Sequence, residues 1–362
     1  MKRLLCIVSS MSTGGAETFL MKLYRSIDKE KYQFDFIVSK KEKGFYDDEI
    51  TKLGGKIYYV PPKSKHPLKS FLEIKRIVHD NKYLSVLRTS QQSLANIDLI
   101  AAYCGGARKL IYRASNASIT GNGLKKLINR MFRFLNIIVP NVRIAPSTLA
   151  AQYVFGNRCV NKGMVHIIHN AINYDKFAFN NDIRKQIRKE LHVTNKNVYG
   201  HVGRFNIQKN HKFLIEVFNE IQKKDSKAVL ILIGEGELKD SILEYTKKLG
   251  IENKVKFLGV KENVNEYLMA MDKLIFPSFF EGMPNVLIES EASALPSYVS
   301  DTITKEAKIT KYVKYISLDK TSKEWADIII RSNIKRSDTR EHFIKNNYMI
   351  EDVLDEFIKI SF

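Results

Sequence analysis

The stretch NVYGHVGRFNIQKNHKFLIEVFNEIQK, residues 197–223, sets the fold class. Asn197–Val202 is a short β-rich run that ends at Gly203. Arg204 and Lys209 follow in a polar loop, and His211–Lys223 then takes up a helical period. Apolar strands that alternate with amphipathic helices form a parallel sheet covered on both faces. Downstream the alternation continues: strand Ala228–Ile233, helix Leu238–Leu249, strand Lys254–Leu258, helix Val264–Ala270, strand Lys273–Phe276, helix Asn285–Ala294 and strand Ser297–Val299. Upstream, strands are expected at Leu4–Ser9, Phe34–Ser39, Lys56–Val60, Ser85–Arg88, Lys109–Arg113, Arg143–Pro146 and Met164–Ile168. Amphipathic segments such as Glu17–Ile27 and Leu68–Val78 lie between them. Around His169–Phe177 the pattern breaks into Asn, Ala and Asp, which marks a hinge near Asn170. The 362 residues suit two domains. The expectation is an α/β chain of two facing Rossmann-like domains, residues 1–170 and 171–339, with ligands beyond the carboxyl ends of the strands in a cleft.

Composition narrows the class. Hydrophobic residues make up 44% and charged residues 27%, the profile of a soluble globular protein. Cys6, Cys104 and Cys159 are odd in number and widely spaced, so neither a disulfide frame nor a zinc site can be drawn from them, and a reducing compartment is expected. Met1-Lys2-Arg3 before Leu4–Val8 resembles a short signal peptide, but an apolar run of five residues fits a buried first strand better. No run approaches the ~18 apolar residues of a membrane span, which points to a cytoplasmic protein. The formal charge of +20 calls for an anionic partner. No Asp or Glu occurs from Leu99 to Tyr174, whereas Arg108, Lys109, Arg113, Lys125, Lys126, Arg130, Arg133, Arg143, Arg158 and Lys162 all do. In Leu124–Val139 a helical period places Lys126, Asn129, Arg133 and Asn136 on one face, with Leu127, Met131, Leu135 and Ile138 on much of the rest. A basic amphipathic helix suits an anionic membrane surface, with Lys125, Lys126, Arg130 and Arg133 facing it. No nucleic-acid motif accompanies the charge, so no nucleic-acid partner is expected.

Four strand-to-helix junctions carry candidate chemistry. Gly14 and Gly15, in Ser12-Thr13-Gly14-Gly15-Ala16-Glu17, would let backbone N–H groups approach an anion at a helix start. Gly203-Arg204-Phe205, with Lys209 five residues after the arginine, places two cations at a strand's carboxyl end; arginine grips a phosphate with two bonds and lysine adds a point charge. Gly234 in Gly234-Glu235-Gly236-Glu237 would allow a ring or ribose close to the backbone. The most specific is Phe280-Glu281-Gly282-Met283-Pro284-Asn285-Val286-Leu287-Ile288-Glu289. Pro284 suits a helix's first turn, and the N–H groups of Gly282, Met283 and Asn285 would face phosphate or sugar oxygens. Glu281 and Glu289, eight positions apart, need partners if buried: ribose hydroxyls for one, sugar hydroxyls or a lysine for the other.

Taken in order, Gly-Gly-Ala-Glu, Gly-Arg-Phe with its lysine, Gly-Glu-Gly, Phe257-Leu258-Gly259 and Glu-Gly-Met-Pro with the paired glutamates resemble the retaining glycosyltransferases of family 4, GT-B fold. Within that family the chain is similar to bacterial enzymes of capsular polysaccharide, exopolysaccharide and O-antigen synthesis. The resemblance implies a retaining, hexosyltransferase-type enzyme that uses a nucleotide-sugar donor of the UDP class and a saccharide or polyprenyl-diphosphate-linked acceptor. It also implies that the final helical stretch, about residues 340–362, packs back on the first domain. Position by position, Arg204 and Lys209 match the pair that neutralises the donor diphosphate, and Glu289 matches the carboxylate on the ribose. Glu281 matches the carboxylate near the donor sugar, and the backbone from Gly282 through Met283 and Pro284 to Asn285 matches the sugar and phosphate cradle. Gly15 matches a diphosphate contact; Gly203 and Gly234 border the donor, and Leu258 and Val260 lie near the base. In the front-face scheme of the family a donor phosphate oxygen takes the acceptor's proton, so no protein base, metal or cofactor is implied. Relatives place histidines at strand ends of the first domain. Here Arg88, Arg113, Ser115 and Asn116 fill those positions and become the acceptor-side candidates. A non-catalytic nucleotide-sugar-binding protein and a UDP-sugar 2-epimerase are the alternatives on the same fold.

Overall fold

The computed structural model describes residues 1–12, 14–115 and 123–362, with backbone alone at 124–126. Two units carry the chain, Met1–Ala171 with Asn347–Phe362, and Ile172–Asn346. The first holds a parallel sheet of β1 (Lys2–Ile7), β2 (Tyr32–Val38), β3 (Ile57–Tyr59), β4 (Ser85–Thr89), β5 (Lys109–Arg113), β6 (Val142–Ala145) and β7 (His166–Ile167), in the order β3-β2-β1-β4-β5-β6-β7. The second holds β8 (Asn197–Val202), β9 (Ala228–Ile233), β10 (Val255–Phe257), β11 (Lys273–Phe276), β12 (Ser297–Ser300) and β13 (Val313–Ile316), in the order β10-β9-β8-β11-β12-β13. Each sheet reverses its winding once, between β1 and β4 and between β8 and β11. Such a switch point opens a crevice at the carboxyl ends of the two strands.

Side chains of β1 show why a continuous apolar run makes an interior strand. Leu4 and Cys6 enter one core with Phe19 and Leu20 of the helix Gly15–Ser26. Leu5 and Ile7 enter another with Ile74 and Val78 of the helix Pro67–Asp80. Period-two alternation splits a wholly apolar strand between two covered faces. The helix Ile350–Ser361 joins the first of these cores, and its Phe357 ring lies 6.0 Å from both Phe19 and Phe34. In the second unit all six residues of β9 are buried. Trp325 is also fully buried there, edge-on to Phe213 at 5.7 Å.

Three segments differ from the sequence expectation. Leu124–Val139 is not one helix but two, Gly123–Met131 and Leu135–Ile138. The final stretch, about residues 340–362, is likewise two helices, with Arg340–Lys345 in the second unit and Ile350–Ser361 in the first. Beyond β12, strand β13 and the helix Ser322–Arg331 were not expected; β13 is an edge strand whose Lys314 interrupts the apolar signal.

One buried carboxyl ties the helix Asn285–Ala292 to the loop before β13. Glu291, in the helix Asn285–Ala292, accepts bonds from Ile309 N, Thr310 N and Thr310 Oγ1, the last two at 2.6 and 2.7 Å. Burial nonetheless raises its pKa from 4.5 to about 7, with the Thr310 and Ile309 donors opposing the shift. A carboxyl raised in the folded state contributes stability below its unfolded pKa and loses it as pH rises through the folded value. Glu291→Gln keeps an acceptor for Thr310 and does not titrate. Its melting temperature relative to the parent protein is expected to climb between pH 5 and pH 7.5 and then level off, as followed by differential scanning calorimetry.

Candidate active site

The switch point of the second sheet lies between β8 and β11, and the most specific motifs sit on the loops that leave these strands. Lys209 ends the loop after β8, and Glu281 lies in the loop after β11. Their side chains meet, Nζ to Oε1 at 2.7 Å, with 15% and 9% of the side chains exposed. The ammonium also rests 4.4 Å from the centre of the Phe276 ring, an aromatic face that attracts a cation. Neutral bonds fasten the two loops beside the pair. Phe279 N donates to Gln208 O and Gln208 Nε2 donates to Phe280 O, both at 2.9 Å. Glu289 is buried on the helix Asn285–Ala292, so neither glutamate of the pair is a surface residue. Gly282, Met283 and Pro284 are buried and Asn285 is partly so. Pro284 stands at the N-cap, one residue before the helix, rather than in its first turn.

Arg204 has a different partner from Lys209. Its side chain is 69% exposed and reaches Glu237 Oε2 at 3.3 Å. Leu258 is partly buried and Val260 exposed, beyond the end of β10.

Gly203 and Gly234 each have a reason within the fold itself. A β-carbon on Gly234, where φ is +139°, would lie 2.1 Å from Gly203 O. Gly234 N donates to Gly259 O at 2.9 Å, and Gly203 N to Ile233 O at 2.9 Å. The glycine at 234 therefore lets neighbouring backbones meet past the strand ends, and the space beside it is filled by protein. A β-carbon on Gly203 would meet Lys209 Cε at 3.0 Å, so that glycine leaves room for the lysine.

In the first unit Gly15 opens the helix Gly15–Ser26, after Gly14 at its N-cap. Two of the acceptor-side candidates, Arg113 and Arg88, are corrected here. Arg113 is 1% exposed; its guanidinium stacks 3.8 Å from the Phe19 ring centre and donates to Asn170 Oδ1 at 2.8 Å. Burial drives its pKa down, with the neighbouring Glu17 opposing. Arg88 is pinned by Asp98 at 2.9 Å and by Ile7 O at 2.9 Å. Both arginines thus serve the interior, because a desolvated guanidinium must find acceptors. Ser115 bonds Gln91 Oε1, and Asn116 lies outside the described residues. The sequence reading did not single out the Glu17 carboxyl, whose pKa is raised by burial against the opposing charges of Arg88 and Arg113. It also missed Phe276 beneath Lys209; a strand-end aromatic before Pro277 was the available signal.

The proposed membrane-facing residues divide. Arg133 donates to Gln152 O and Val154 O, carbonyls in the last turn of the helix Thr148–Phe155, where the helix dipole favours a cation. Asn129 accepts from Ser93 N at 2.6 Å, and the buried Asn136 bonds Asn96 and Val154 O. The face expected to meet lipid headgroups is therefore turned inward at these positions. Arg130 is exposed, as are Leu127, Met131, Phe134 and Ile138. The Lys125 and Lys126 side chains lie outside the described residues. Among the described residues no helix is long and apolar enough to cross a membrane.

Residues 182–349 match the family model for glycosyl transferases group 1. EpsF of Bacillus subtilis (strain 168), described as a glycosyltransferase, is 32% identical over 349 residues, 95% of this chain and 91% of EpsF. The chain belongs to this family of glycosyl transferases. CapH of Staphylococcus aureus, a capsular polysaccharide biosynthesis glycosyltransferase, is 26% identical over 96% of this chain and 94% of its own. The Escherichia coli UDP-Gal:alpha-D-GlcNAc-diphosphoundecaprenol alpha-1,3-galactosyltransferase is 23% identical over 74% of this chain and 72% of its own. Anabaena Alr3699/HepE, solved with UDP and glucose, superposes with a TM-score of 0.79 at 18% identity, covering 99% of each chain. The fold of the transferase is GT-B, with two Rossmann-like parallel sheets.

Gly234→Ala is expected to cost at least ~2 kcal/mol, because the new carbon overlaps a backbone carbonyl and φ is positive. Gly250→Ala, at φ +66° with open space around it, is expected to cost about 1 kcal/mol. Chemical denaturation of the two variants checks the order.

Proposed function

We propose that the transferase moves a hexosyl-type sugar from a UDP-sugar to a saccharide carried on a polyprenyl diphosphate, with retention at the anomeric carbon, in bacterial surface polysaccharide synthesis. The observation that carries this reading is the Lys209–Glu281 pair at the switch point of the second sheet. An anion entering there would draw the ammonium away from Glu281. Lys209 would then neutralise the diphosphate, and Glu281 would be released to accept from sugar hydroxyls. Arg204 would join it, since an exposed pair such as that with Glu237 holds its arginine weakly. Glu289 would accept from the ribose. As the bond from the anomeric carbon to the diphosphate oxygen breaks, charge grows on that oxygen. Cations already in place stabilise it without reorganisation. The acceptor proton passes to a donor phosphate oxygen, and neither a metal nor a cofactor takes part. Support for the donor class comes from HepE, held with UDP and glucose, and for the acceptor class from the Escherichia coli relative.

Peripheral membrane binding on the cytoplasmic face belongs to the same proposal. The exposed Leu127, Met131, Phe134 and Ile138, with Arg130, would enter an anionic interface. Met131→Ser with Phe134→Ser is expected to cut binding to phosphatidylglycerol-containing vesicles several-fold in a flotation assay and to leave the melting temperature unchanged.

Thermal-shift screening against UDP, GDP, ADP and their sugars tests the donor. UDP and one UDP-sugar are expected to raise the melting temperature. Arg204→Ala with Lys209→Ala is expected to lower sugar transfer to a lipid-linked acceptor by at least about a hundredfold, with folding retained. A double variant that keeps most of its activity overturns the diphosphate assignment. Nucleotide-sugar binding without any transfer makes the chain a binding protein instead.

A further inference from the structure

Near the Lys209–Glu281 pair lie two buried histidines, and three of their four ring nitrogens have no hydrogen-bond partner in the fold. His201, in β8, is wholly buried, and its Nδ1 sits 2.9 Å from Ile275 O. A carbonyl only accepts, so Nδ1 carries the hydrogen and Nε2 presents a lone pair. That Nε2 is buried with no hydrogen-bond partner. It faces Gly203: a β-carbon there would lie 3.1 Å from His201 Nε2 and 3.0 Å from Lys209 Cε. Phe276 links the same two residues, because His201 stacks on its ring at 5.3 Å and Lys209 Nζ rests 4.4 Å from its centre.

His211 begins the helix His211–Lys224, two residues after Lys209. Both its ring nitrogens are buried without a partner. The ring meets His201 edge-on at 4.8 Å and stacks on Phe205 at 4.2 Å. A phenylalanine would fill either place without orphaned nitrogens, so packing alone does not account for two imidazoles. Charge on them is excluded as well. Burial holds His201 well below its ordinary pKa and lowers His211 to about 4, and the Lys209 cation adds to both shifts.

We propose that His201 and His211 are positioning residues for the transfer: His201 Nε2 accepts, directly or through one water, an N–H of the Lys209 ammonium, and His211 fixes the tilt of the His201 ring. An ammonium has three donors. Glu281 takes one in this structure, a diphosphate is to replace it, and a donor remains for the protein side. An acceptor on the protein side keeps the group from following its ligand out, so its charge stays aimed at the strand ends. Neutral imidazole suits the task, since an acidic residue would neutralise Lys209 and a charged histidine would repel it. The inference rests on the reading of Lys209 as the diphosphate ligand.

A double-mutant cycle on the full chain tests it, with calorimetric titration of UDP, and of GDP and ADP in parallel, as the readout. His201→Phe is expected to weaken nucleoside diphosphate binding about tenfold, and His201→Gln, which restores an acceptor, to recover most of it. His211→Phe is expected to give a smaller loss with an unchanged or raised melting temperature. In a Lys209→Ala background the histidine substitutions are expected to have no further effect. If Lys209→Ala weakens binding but neither histidine variant does, or if their losses add to that of Lys209→Ala, this inference fails and the donor reading stands. If none of the three nucleotides binds the parent protein, or Lys209→Ala binds as the parent does, the donor reading fails and takes the inference with it. Should His201→Phe not fold, His211→Phe, which removes no bond seen in the structure, decides by the same cycle.

Discussion

A lysine and a glutamate held 2.7 Å apart, with little of either side chain in water, join the loops that leave β8 and β11, and the candidate site depends on them. Such a pair is a poor source of stability, because taking both charges out of water costs about as much as their attraction returns. The surrounding loops do not depend on it. Neutral bonds between Gln208 and the backbone at Phe279 and Phe280 hold them in register. Close backbone contact among Gly203, Gly234 and Gly259 carries the bonding past the ends of β8, β9 and β10. With the frame secured by uncharged contacts, the ion pair can open toward a ligand without loosening the fold.

The first unit treats its charges differently. Arg88 and Arg113 stand at the ends of β4 and β5, beside the sheet's own switch point, yet both are spent on internal acceptors. Arg133 is likewise held by carbonyls at a helix end. The strong positive balance of residues 99–174 therefore overstates the charge this segment can offer a partner. Apolar side chains, Leu127, Met131, Phe134 and Ile138, are the more unusual exposed feature there.

Much of the molecule was legible before its structure. Asn197–Val202, Ala228–Ile233, Val264–Ala270 and Lys273–Phe276 coincide with their elements, because each is apolar or amphipathic over its whole length and a glycine, proline or polar residue stands within two positions of each end. Reading failed where partners come from afar. Asn129 and Asn136 look like the polar face of a surface helix, yet their amides bond to Ser93, Asn96 and Val154. Arg113 looks like a ligand-facing cation at a strand end, but Phe19 and Asn170 enclose it. Polarity in a sequence does not say whether water or protein supplies the partner.

By itself the sequence determined the two α/β halves, the family and the segments that bear the candidate donor site, since period and motif spacing are local properties of the chain. Only the tertiary structure decided that Lys209 meets Glu281, that Gly234 clears a backbone carbonyl, and that His201 and His211 meet edge-on, with three of their ring nitrogens unpartnered. The physical reason lies in the crossover of the sheet. The order β9-β8-β11 brings loops some seventy residues apart to one crevice, and side chains there acquire their partners and their protonation from neighbours that no local pattern encodes.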